Sequence, residues 1–288
     1  MAGPSLRVLV DGVADAGVPA NDRGFAYGDG VFRTIRVDDG RLWLWSDHLT
    51  KLTDDARRLG LQLGAPDHDA LEVESRRLIE QDSGTLRLVV TRGSGPRGDR
   101  PPVLGRARRV LVFQPGETPA LPSPPRSVRL CRVRLPRLPE LAGIKHLNRL
   151  PQVLARQEWP GPVPDEGLLL DADGGIICGT MTNLFLTKEK RILTPALEHS
   201  GVAGIIRERL LSGSIPGMET WSERVLTSKI TLDELLSADE VWLTNAVIGV
   251  WPVASLDDAE GRMLARWKAP GPAATALASG LLRLMAPS

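Results

Sequence analysis

A proline-rich run near the middle of the chain predicts two lobes joined by a linker. Five prolines and few apolar residues lie within residues 115–125. Proline lacks the backbone N–H that helices and strands use, so such a run favours a connection between folded units. We therefore expect an N-terminal lobe over residues 1–114, a linker over 115–125 and a C-terminal lobe over 126–288.

Both lobes contain segments typical of strands and of helices, which favours an α+β fold. Residues 31–37 and 84–91 are rich in β-branched and apolar side chains and predict strands. Between them, Leu49, Leu52 and Ala56 follow the spacing of one helical face.

Composition favours a soluble globular protein of the cytoplasm. The 288 residues are 42% hydrophobic with a net charge of +1, and no apolar run reaches membrane-spanning length. Two cysteines do not make a disulfide framework. An arginine-rich strand over residues 126–137 could suggest nucleic-acid binding, but no aromatic residues alternate with its cations. We therefore expect no membrane, nucleic-acid or metal partner.

A lysine in partly apolar surroundings is the first candidate for chemistry. Lys145 lies between Ile144 and Leu147, just before a short helical pattern. A lysine is usually a solvated surface charge. An amine in apolar surroundings, however, has a lowered pKa and becomes a nucleophile towards aldehydes. The residues alone do not distinguish between these two interpretations.

The segment around Lys145 resembles a known lysine block. Residues 143–150, Gly-Ile-Lys-His-Leu-Asn-Arg-Leu, are similar to the block that carries the Schiff-base lysine in fold-type IV pyridoxal 5'-phosphate (PLP) enzymes. The end of the block is most similar to the aminodeoxychorismate lyases, which share this superfamily with branched-chain and D-amino-acid aminotransferases. The resemblance implies a two-lobed α+β homodimer with PLP on Lys145 in the interlobe cleft. It also assigns substrate contacts to Asn148 and Arg149.

The N-terminal lobe contains a second block of the same superfamily. Residues 22–32, with Asp-Arg-Gly followed by Gly-Asp-Gly-Val-Phe, resemble its opening motif. The resemblance places Tyr27 and Phe32 at the substrate and gives Thr34 a proton relay near the cofactor, as in the lyases. Arg33 stands where glutamate is more usual. A plain β-hairpin is the competing interpretation.

Two cations in this lobe correspond to anion-binding positions of the superfamily. Residues 48–52 resemble a His-x-x-Arg-Leu block whose arginine binds the PLP phosphate, and here that residue is Lys51. Lysine keeps the charge but loses the bidentate geometry. The glycine-rich loop at 92–98 resembles the loop that holds a substrate carboxylate, a role that falls to Arg97. A solvated helix residue and a solvated loop are the alternatives.

The C-terminal lobe contains the remaining phosphate contacts that the resemblance implies. A Gly-Ile-x-Arg step donates backbone amides to the phosphate, and here these belong to Gly204, Ile205 and Ile206. Asn245 and the amide of Ala246 are further candidates. A helix N-terminus attracts anions through its free N–H groups and its dipole.

The largest departure from the family is Cys178. Residues 178–185 resemble Glu-Gly-x-x-x-Asn-x-Phe, with Asn183 retained and Cys178 in place of the glutamate that pairs with the pyridine nitrogen. A thiol does not keep that nitrogen protonated, so the ring is a weaker electron sink. Transamination should suffer more than an elimination that gains aromaticity. The change therefore favours a lyase or a weakened enzyme.

The resemblance implies conversion of 4-amino-4-deoxychorismate to 4-aminobenzoate and pyruvate, a step towards folate. Lys145 would act as general base, Thr34 would help deliver a proton and Arg97 would hold a carboxylate. A branched-chain or D-amino-acid aminotransferase is the first alternative. A non-catalytic PLP-binding protein is the second, because Lys51 and Cys178 both depart from the family. A nucleic-acid module is a distant third.

Overall fold

The computed structural model describes residues 5–102, 105–222 and 225–286. Within these ranges no helix combines the length and the apolar character needed to span a bilayer. The chain divides into two compact units. Unit 1 comprises Met1–Thr118 and Lys145–Asn148, and unit 2 comprises Pro119–Ile144 and Arg149–Ser288.

Unit 1 contains β1 (Arg7–Val10), β2 (Val13–Ala14), α1 (Arg23–Tyr27), β3 (Gly30–Asp38), β4 (Arg41–Leu42), α2 (Trp45–Arg58), α3 (Ala65–Ile79), β5 (Gly84–Thr91) and β6 (Arg108–Pro115). Its strands form an antiparallel sheet in the order β2-β1-β6-β5-β3-β4, and α2 and α3 pack against this sheet. The two helices bury apolar residues such as Leu52, Ala56 and Leu71.

The hairpin after β3 is shorter than the sequence pattern predicts. Alternation over residues 41–45 predicts a return strand of five residues, but β4 ends at Leu42. Leu44 adopts a left-handed conformation with φ of 52°, which turns the chain into α2 at Trp45.

The lysine segment belongs to unit 1 because its backbone pairs with β3. The N–H of Phe32 donates to the carbonyl of Lys145 at 3.0 Å, and the N–H of Leu147 donates to the carbonyl of Gly30 at 3.0 Å. His146 and Val31 form an antiparallel bridge. The sequence-based division placed Lys145 with the C-terminal lobe, and the structure differs from that division at this segment.

Unit 2 contains β7 (Arg126–Leu135), α4 (Leu150–Arg156), β8 (Glu166–Asp171), β9 (Ile176–Gly179), β10 (Asn183–Lys188), β11 (Arg191–Pro195), α5 (Ile205–Leu211), α6 (Glu219–Ser222), β12 (Val225–Ser228), α7 (Leu232–Leu236), β13 (Glu240–Asn245), β14 (Gly249–Asp257), β15 (Met263–Arg266) and α8 (Pro272–Met285). Its nine-stranded sheet has the order β12-β11-β10-β13-β14-β7-β8-β9, with β15 paired to β14. β9 also pairs with β10, so the strands from β10 to β9 in this order form a closed circuit.

A charge network in unit 1 fastens the loop after β5 to the segment before β3. Arg23 is buried and donates from Nε to Asp29 at 3.0 Å. Its two terminal nitrogens donate to the carbonyls of Gly98 and Asp99, each at 2.9 Å. Arg92 donates to both oxygens of Asp29, at 2.7 and 3.0 Å. Arg23 therefore holds the loop that contains Arg97 through the backbone carbonyls of that loop.

This network makes unit 1 sensitive to acid through Asp29. Burial raises the pKa of Asp29, but hydrogen bonds from Arg92 and Arg23 outweigh burial and leave the pKa below 3.8. A folded-state pKa below the unfolded value stabilises the fold above pH 3.8, and this stabilisation is lost as the pH falls through the folded value. We expect Asp29→Asn to lower the free energy of unfolding by about 1–2 kcal/mol at pH 7.

Urea unfolding at pH 7 and at several values below pH 3.8 tests this expectation, because the difference from the wild type should shrink as the pH falls. Asp54→Asn is the matched control, since its ion pair with Arg57 is exposed and spans 3.9 Å. A difference that stays constant down to pH 3 would contradict the assigned role of the charge.

Candidate active site

Lys145 is held at its peptide group on both sides. Its N–H donates to Oδ2 of Asp55 at 2.9 Å, and its carbonyl accepts from Phe32. The side chain is half-buried, and Nζ lies 4.6 Å from the centre of the Phe32 ring. The amine thus has the partly apolar surroundings that the sequence predicts, with a fixed backbone beneath it.

A buried ion pair lies directly beside this lysine. Arg33 and Asp55 are each 2% exposed, and a terminal nitrogen of Arg33 pairs with the same Asp55 oxygen that accepts from Lys145. The nitrogen of Arg33 also donates to the carbonyl of Lys51 at 2.9 Å. The arginine that replaces the usual glutamate therefore has a partner, and it links β3 to the helical turn that contains Lys51.

His48 adds a neutral ring to this cluster. Burial lowers its pKa well below 6.5, and the charges of Arg33 and Lys145 lower it further. Neither ring nitrogen has a hydrogen-bond partner within the described parts of the chain. At neutral pH the imidazole is therefore uncharged and adds no positive charge beside the lysine.

One face of β3 carries Phe32 and Thr34, with Arg87 of β5 beside them. Alternation along the strand puts Phe32 and Thr34 on the same face, and Thr34 pairs in register with Arg87 on β5. The guanidinium carbon of Arg87 lies 4.3 Å from the centre of the Phe32 ring, which Lys145 also contacts. Burial lowers the pKa of Arg87 from 12.5, but it remains a cation at neutral pH.

Sequence reasoning missed Arg87. It lies inside a strand pattern, where an isolated arginine indicates only a solvated position. Its place opposite Thr34 depends on the register between β3 and β5, which the sequence pattern does not define.

The other candidate substrate contacts in unit 1 lie around α1. The hydroxyl of Tyr27 accepts from the N–H of Gly98 at 3.0 Å, next to the exposed Arg97. Asn148 donates from Nδ2 to the carbonyl of Gly28 at 3.2 Å. The structure therefore brings Tyr27 beside the loop of Arg97 and joins Asn148 to the end of the same helix.

In unit 2, Cys178 lies in β9 between two partner strands. It pairs with Leu169 on one side and with Asn183 on the other. The side chain is buried in an apolar cluster that includes Cys131 and Trp159, and both cysteines are thiols. Burial raises the pKa of Cys131 to about 12. The position where the family has a carboxylate thus contributes to an apolar cluster.

Asn183, the first residue of β10, connects that strand to the start of α5. Its Nδ2 donates to the carbonyl of Val202 at 2.7 Å, and its Oδ1 accepts from the N–H of Gly204 at 3.2 Å. A Cβ at Gly204 would lie 2.3 Å from that oxygen, so the close approach requires glycine. Ile205 and Ile206 begin the helix, where amides have no acceptor one turn earlier. This arrangement suits an anion.

The Asn245 side chain holds the turn between β13 and β14. Its Oδ1 accepts from the N–H groups of Val247 and Ile248 at 2.8 and 2.9 Å, and its Nδ2 donates to the carbonyl of Met181 at 3.2 Å. The predicted contact of Asn245 with a phosphate stays a prediction. Ala246 lies within the turn that this side chain closes.

Glu166 is a second residue that sequence reasoning missed. It is fully buried and accepts from the N–H groups of Thr180 and Met181 at 3.1 and 3.2 Å, and from the hydroxyl of Thr182 at 3.2 Å. Arg149 donates to the carbonyl of Thr180 at 3.3 Å. An acidic residue at the start of an apolar strand was the available signal. The carboxylate fixes the turn that follows Cys178.

Comparison with known proteins identifies the family of the chain. Residues 30–256 match the family model described as amino-transferase class IV. The aminodeoxychorismate lyase of Vibrio harveyi is 35% identical, with 88% of this chain and 93% of that protein covered. The D-alanine aminotransferase of Bacillus licheniformis is 28% identical, with 88% and 89% covered. The crystal structure of 4-amino-4-deoxychorismate lyase from Pseudomonas aeruginosa has a TM-score of 0.83 and 36% identity, with 96% and 98% covered.

These matches confirm the predicted fold-type IV architecture, and they confirm PLP as the cofactor of an enzyme of this type. The family model covers most of the chain, including the lysine block, the Cys178 strand and the start of α5. The chain therefore belongs to the class IV aminotransferase family.

Proposed function

We propose that the protein is a 4-amino-4-deoxychorismate lyase, which forms 4-aminobenzoate and pyruvate. Cys178 supports this assignment, because a thiol in an apolar cluster stands where the family has glutamate. An elimination that gains aromaticity depends less on a protonated ring nitrogen than transamination does. Thr34, on the same strand face as Phe32, supplies the hydroxyl that the resemblance to the lyases implies. Relatives named as lyases at 35% and 36% identity add support.

The residues present fit PLP. In unit 1, Lys145 offers an amine near a neutral His48 for covalent attachment, and Lys51 offers a cation for the phosphate. In unit 2, the first backbone amides of α5, at Ile205 and Ile206, are candidates for the phosphate. When bound, the cofactor supplies an electron-withdrawing ring conjugated with the substrate nitrogen. The further proposed phosphate contacts are Gly204, Ile205, Ile206, Asn245 and Ala246.

Two groups on unit 1 move protons in the proposed reaction. With the substrate amine in place of Lys145 on the cofactor, the free Nζ of Lys145 would take the proton from C4 of the substrate ring. The bond to the enolpyruvate oxygen breaks as the ring becomes aromatic. The Oγ1 of Thr34 helps deliver a proton to the methylene carbon of the leaving group, which yields pyruvate.

The substrate has two carboxylates, and unit 1 offers two arginines for them. Arg97 takes one, as the resemblance implies. Arg87 is suited to the other because it lies opposite Thr34 and against Phe32. Arginine binds a carboxylate through two parallel hydrogen bonds. Further substrate contacts are proposed at Tyr27, Phe32, Asn148 and Arg149.

An aminotransferase for branched-chain or D-amino acids is the second candidate. The D-alanine aminotransferase among the relatives supports it. That reaction depends on a protonated ring nitrogen, which a thiol at position 178 does not maintain.

We expect purified protein with PLP to release pyruvate from 4-amino-4-deoxychorismate faster than it transaminates D-alanine or L-leucine. Coupling to lactate dehydrogenase measures pyruvate, and absorbance follows conversion of the cofactor to pyridoxamine 5'-phosphate. Lys145→Ala should lower pyruvate release by at least about a hundredfold, because it removes the general base. The exposed Lys190→Ala is the control.

Faster transamination would favour the second candidate. Absence of both reactions, together with a borohydride-reducible bond to the cofactor, would favour a non-catalytic PLP-binding protein. Peptide mapping that finds the reduced label on another lysine would contradict the role of Lys145.

Cys178→Glu should shift the balance of reactions. A carboxylate here keeps the ring nitrogen protonated, so we expect transamination relative to pyruvate release to rise by about tenfold, or about 1.4 kcal/mol of barrier. Cys178→Gln is the control for size without charge. An equal effect of both substitutions would show that charge at position 178 does not select the reaction.

A homodimer is proposed on the family resemblance and on one exposed apolar surface. Leu150, Val153 and Leu154 share a face of α4 and are 65%, 49% and 46% exposed. Sedimentation velocity should give a mass near twice 31.2 kDa, and Val153→Lys should weaken association. Val73→Lys, at an exposed position of α3, is the control. A monomeric wild type would overturn the proposal.

A further inference from the structure

We propose that Arg33 and Asp55 form a buried charge pair that positions Lys145 and sets the protonation of its amine. The proposal rests on the proposed function only in taking Lys145 as the reactive lysine. Neither Arg33 nor Asp55 touches the substrate or the cofactor in this proposal, so both are positioning residues.

The pair acts on Lys145 through one shared oxygen. Oδ2 of Asp55 accepts from Arg33 and, at 2.9 Å, from the N–H of Lys145. Because the carbonyl of Lys145 accepts from Phe32, both polar groups flanking its Cα are bound. The starting point of the side chain is therefore fixed, and the guanidinium of Arg33 holds the carboxylate that fixes it.

Burial makes the charges of Arg33 and Asp55 depend on each other. Arg33 and Asp55 are each 2% exposed, so water does not satisfy either charge. A buried ion pair contributes little net stability, while removing one partner leaves an uncompensated charge. Arg33 also donates to the carbonyl of Lys51, so the pair fastens β3, α2 and the lysine segment at one point. Positioning accounts for such a pair better than stability does.

The two charges act on the Lys145 amine in opposite directions. Arg33 disfavours a protonated amine, and Asp55 favours it. His48 is neutral at neutral pH because its pKa is lowered, so it adds no third charge to the opposing influences of Arg33 and Asp55 on the amine. Within the described part of the chain, further charged or titratable groups on the elements near the lysine include Lys51 on α2, Arg87 on β5 and His146 in its own segment.

Competition labelling of the full chain, freed of cofactor, tests the proposal. Acetic anhydride is added at a series of pH values, and mass spectrometry quantifies modification of Lys145 against the exposed Lys190. We expect Arg33→Met to raise the pH midpoint of labelling by about one unit and Asp55→Asn to lower it by about one unit. Amide hydrogen exchange at Lys145 should quicken in Asp55→Asn, because its acceptor is weakened.

A matched buried pair provides the control. Arg109 and Glu74 are joined at 2.7 Å, with side chains 5% and 9% exposed, between β6 and α3. Arg109→Met removes a comparable buried charge away from the lysine, and it should leave the Lys145 midpoint unchanged. An equal shift in Arg109→Met would show that the effect is general destabilisation, and would overturn the proposal.

The double variant Arg33→Met with Asp55→Leu keeps the proposal testable if the single variants fail to fold. Apolar replacement of a whole buried pair is often neutral for stability. In this variant we expect faster exchange at the Lys145 amide. Unchanged exchange, or single variants that shift the midpoint in the same direction, would overturn the proposal.

The proposed function and the proposed role of the charge pair can fail independently of each other. Opposite midpoint shifts without pyruvate release would uphold the charge pair and reject the lyase assignment. Pyruvate release by the wild type, with a Lys145 labelling midpoint that neither substitution moves, would uphold the lyase assignment and reject the charge pair. With PLP bound, the pH dependence of the visible absorbance reports the nitrogen that joins Lys145 to the cofactor, and it should shift in the same directions.

Discussion

The Lys145 peptide group is the point on which the chemistry of unit 1 depends. A flexible four-carbon side chain does not define where its amine lies, so the backbone must do so. Here the backbone is held by β3 on one side and by the carboxylate of Asp55 on the other. The ring of Phe32 then limits where the amine can lie. A flexible side chain thereby acquires a defined position.

The same principle recurs in unit 2, where side chains bind backbone rather than face solvent. Asn183 bridges two points at the start of α5, Asn245 closes the turn after β13, and Glu166 gathers the amides after Cys178. Each polar side chain satisfies buried backbone groups and holds a turn in one shape. Such turns can present amides to an anion without rearranging, which limits the entropy lost on binding.

The candidate site residues that the sequence predicts are those that lie in locally encoded blocks. Lys145, Thr34 and Gly204 lie within short blocks, so resemblance identified them without knowledge of the fold. Arg33 lacked an interpretation because its partner, Asp55, lies 22 positions away and on a helix. Asp55 itself binds the backbone of a residue 90 positions further along the chain.

Strand pairing explains why the sequence analysis missed Arg87 and placed the lysine segment in the C-terminal lobe. Arg87 becomes relevant only because β5 places it opposite Thr34, and a shift of one residue would turn it to the other face. The membership of the lysine segment in unit 1 likewise depends on pairing with β3, which periodicity along a single segment does not reveal. Helix and strand types were largely predictable, while the length of β4 depended on one left-handed residue, Leu44.

The closed circuit of strands in unit 2 has a consequence for how such enzymes diversify. β9 is bound by β8 and β10 at once, and only three residues join it to β10, so Cys178 has little freedom to move. The side chain at position 178 can therefore be replaced without a change in the backbone conformation of β9. A substitution at such a position changes the side chain without moving the strand, and changes of this kind let one architecture host different functions.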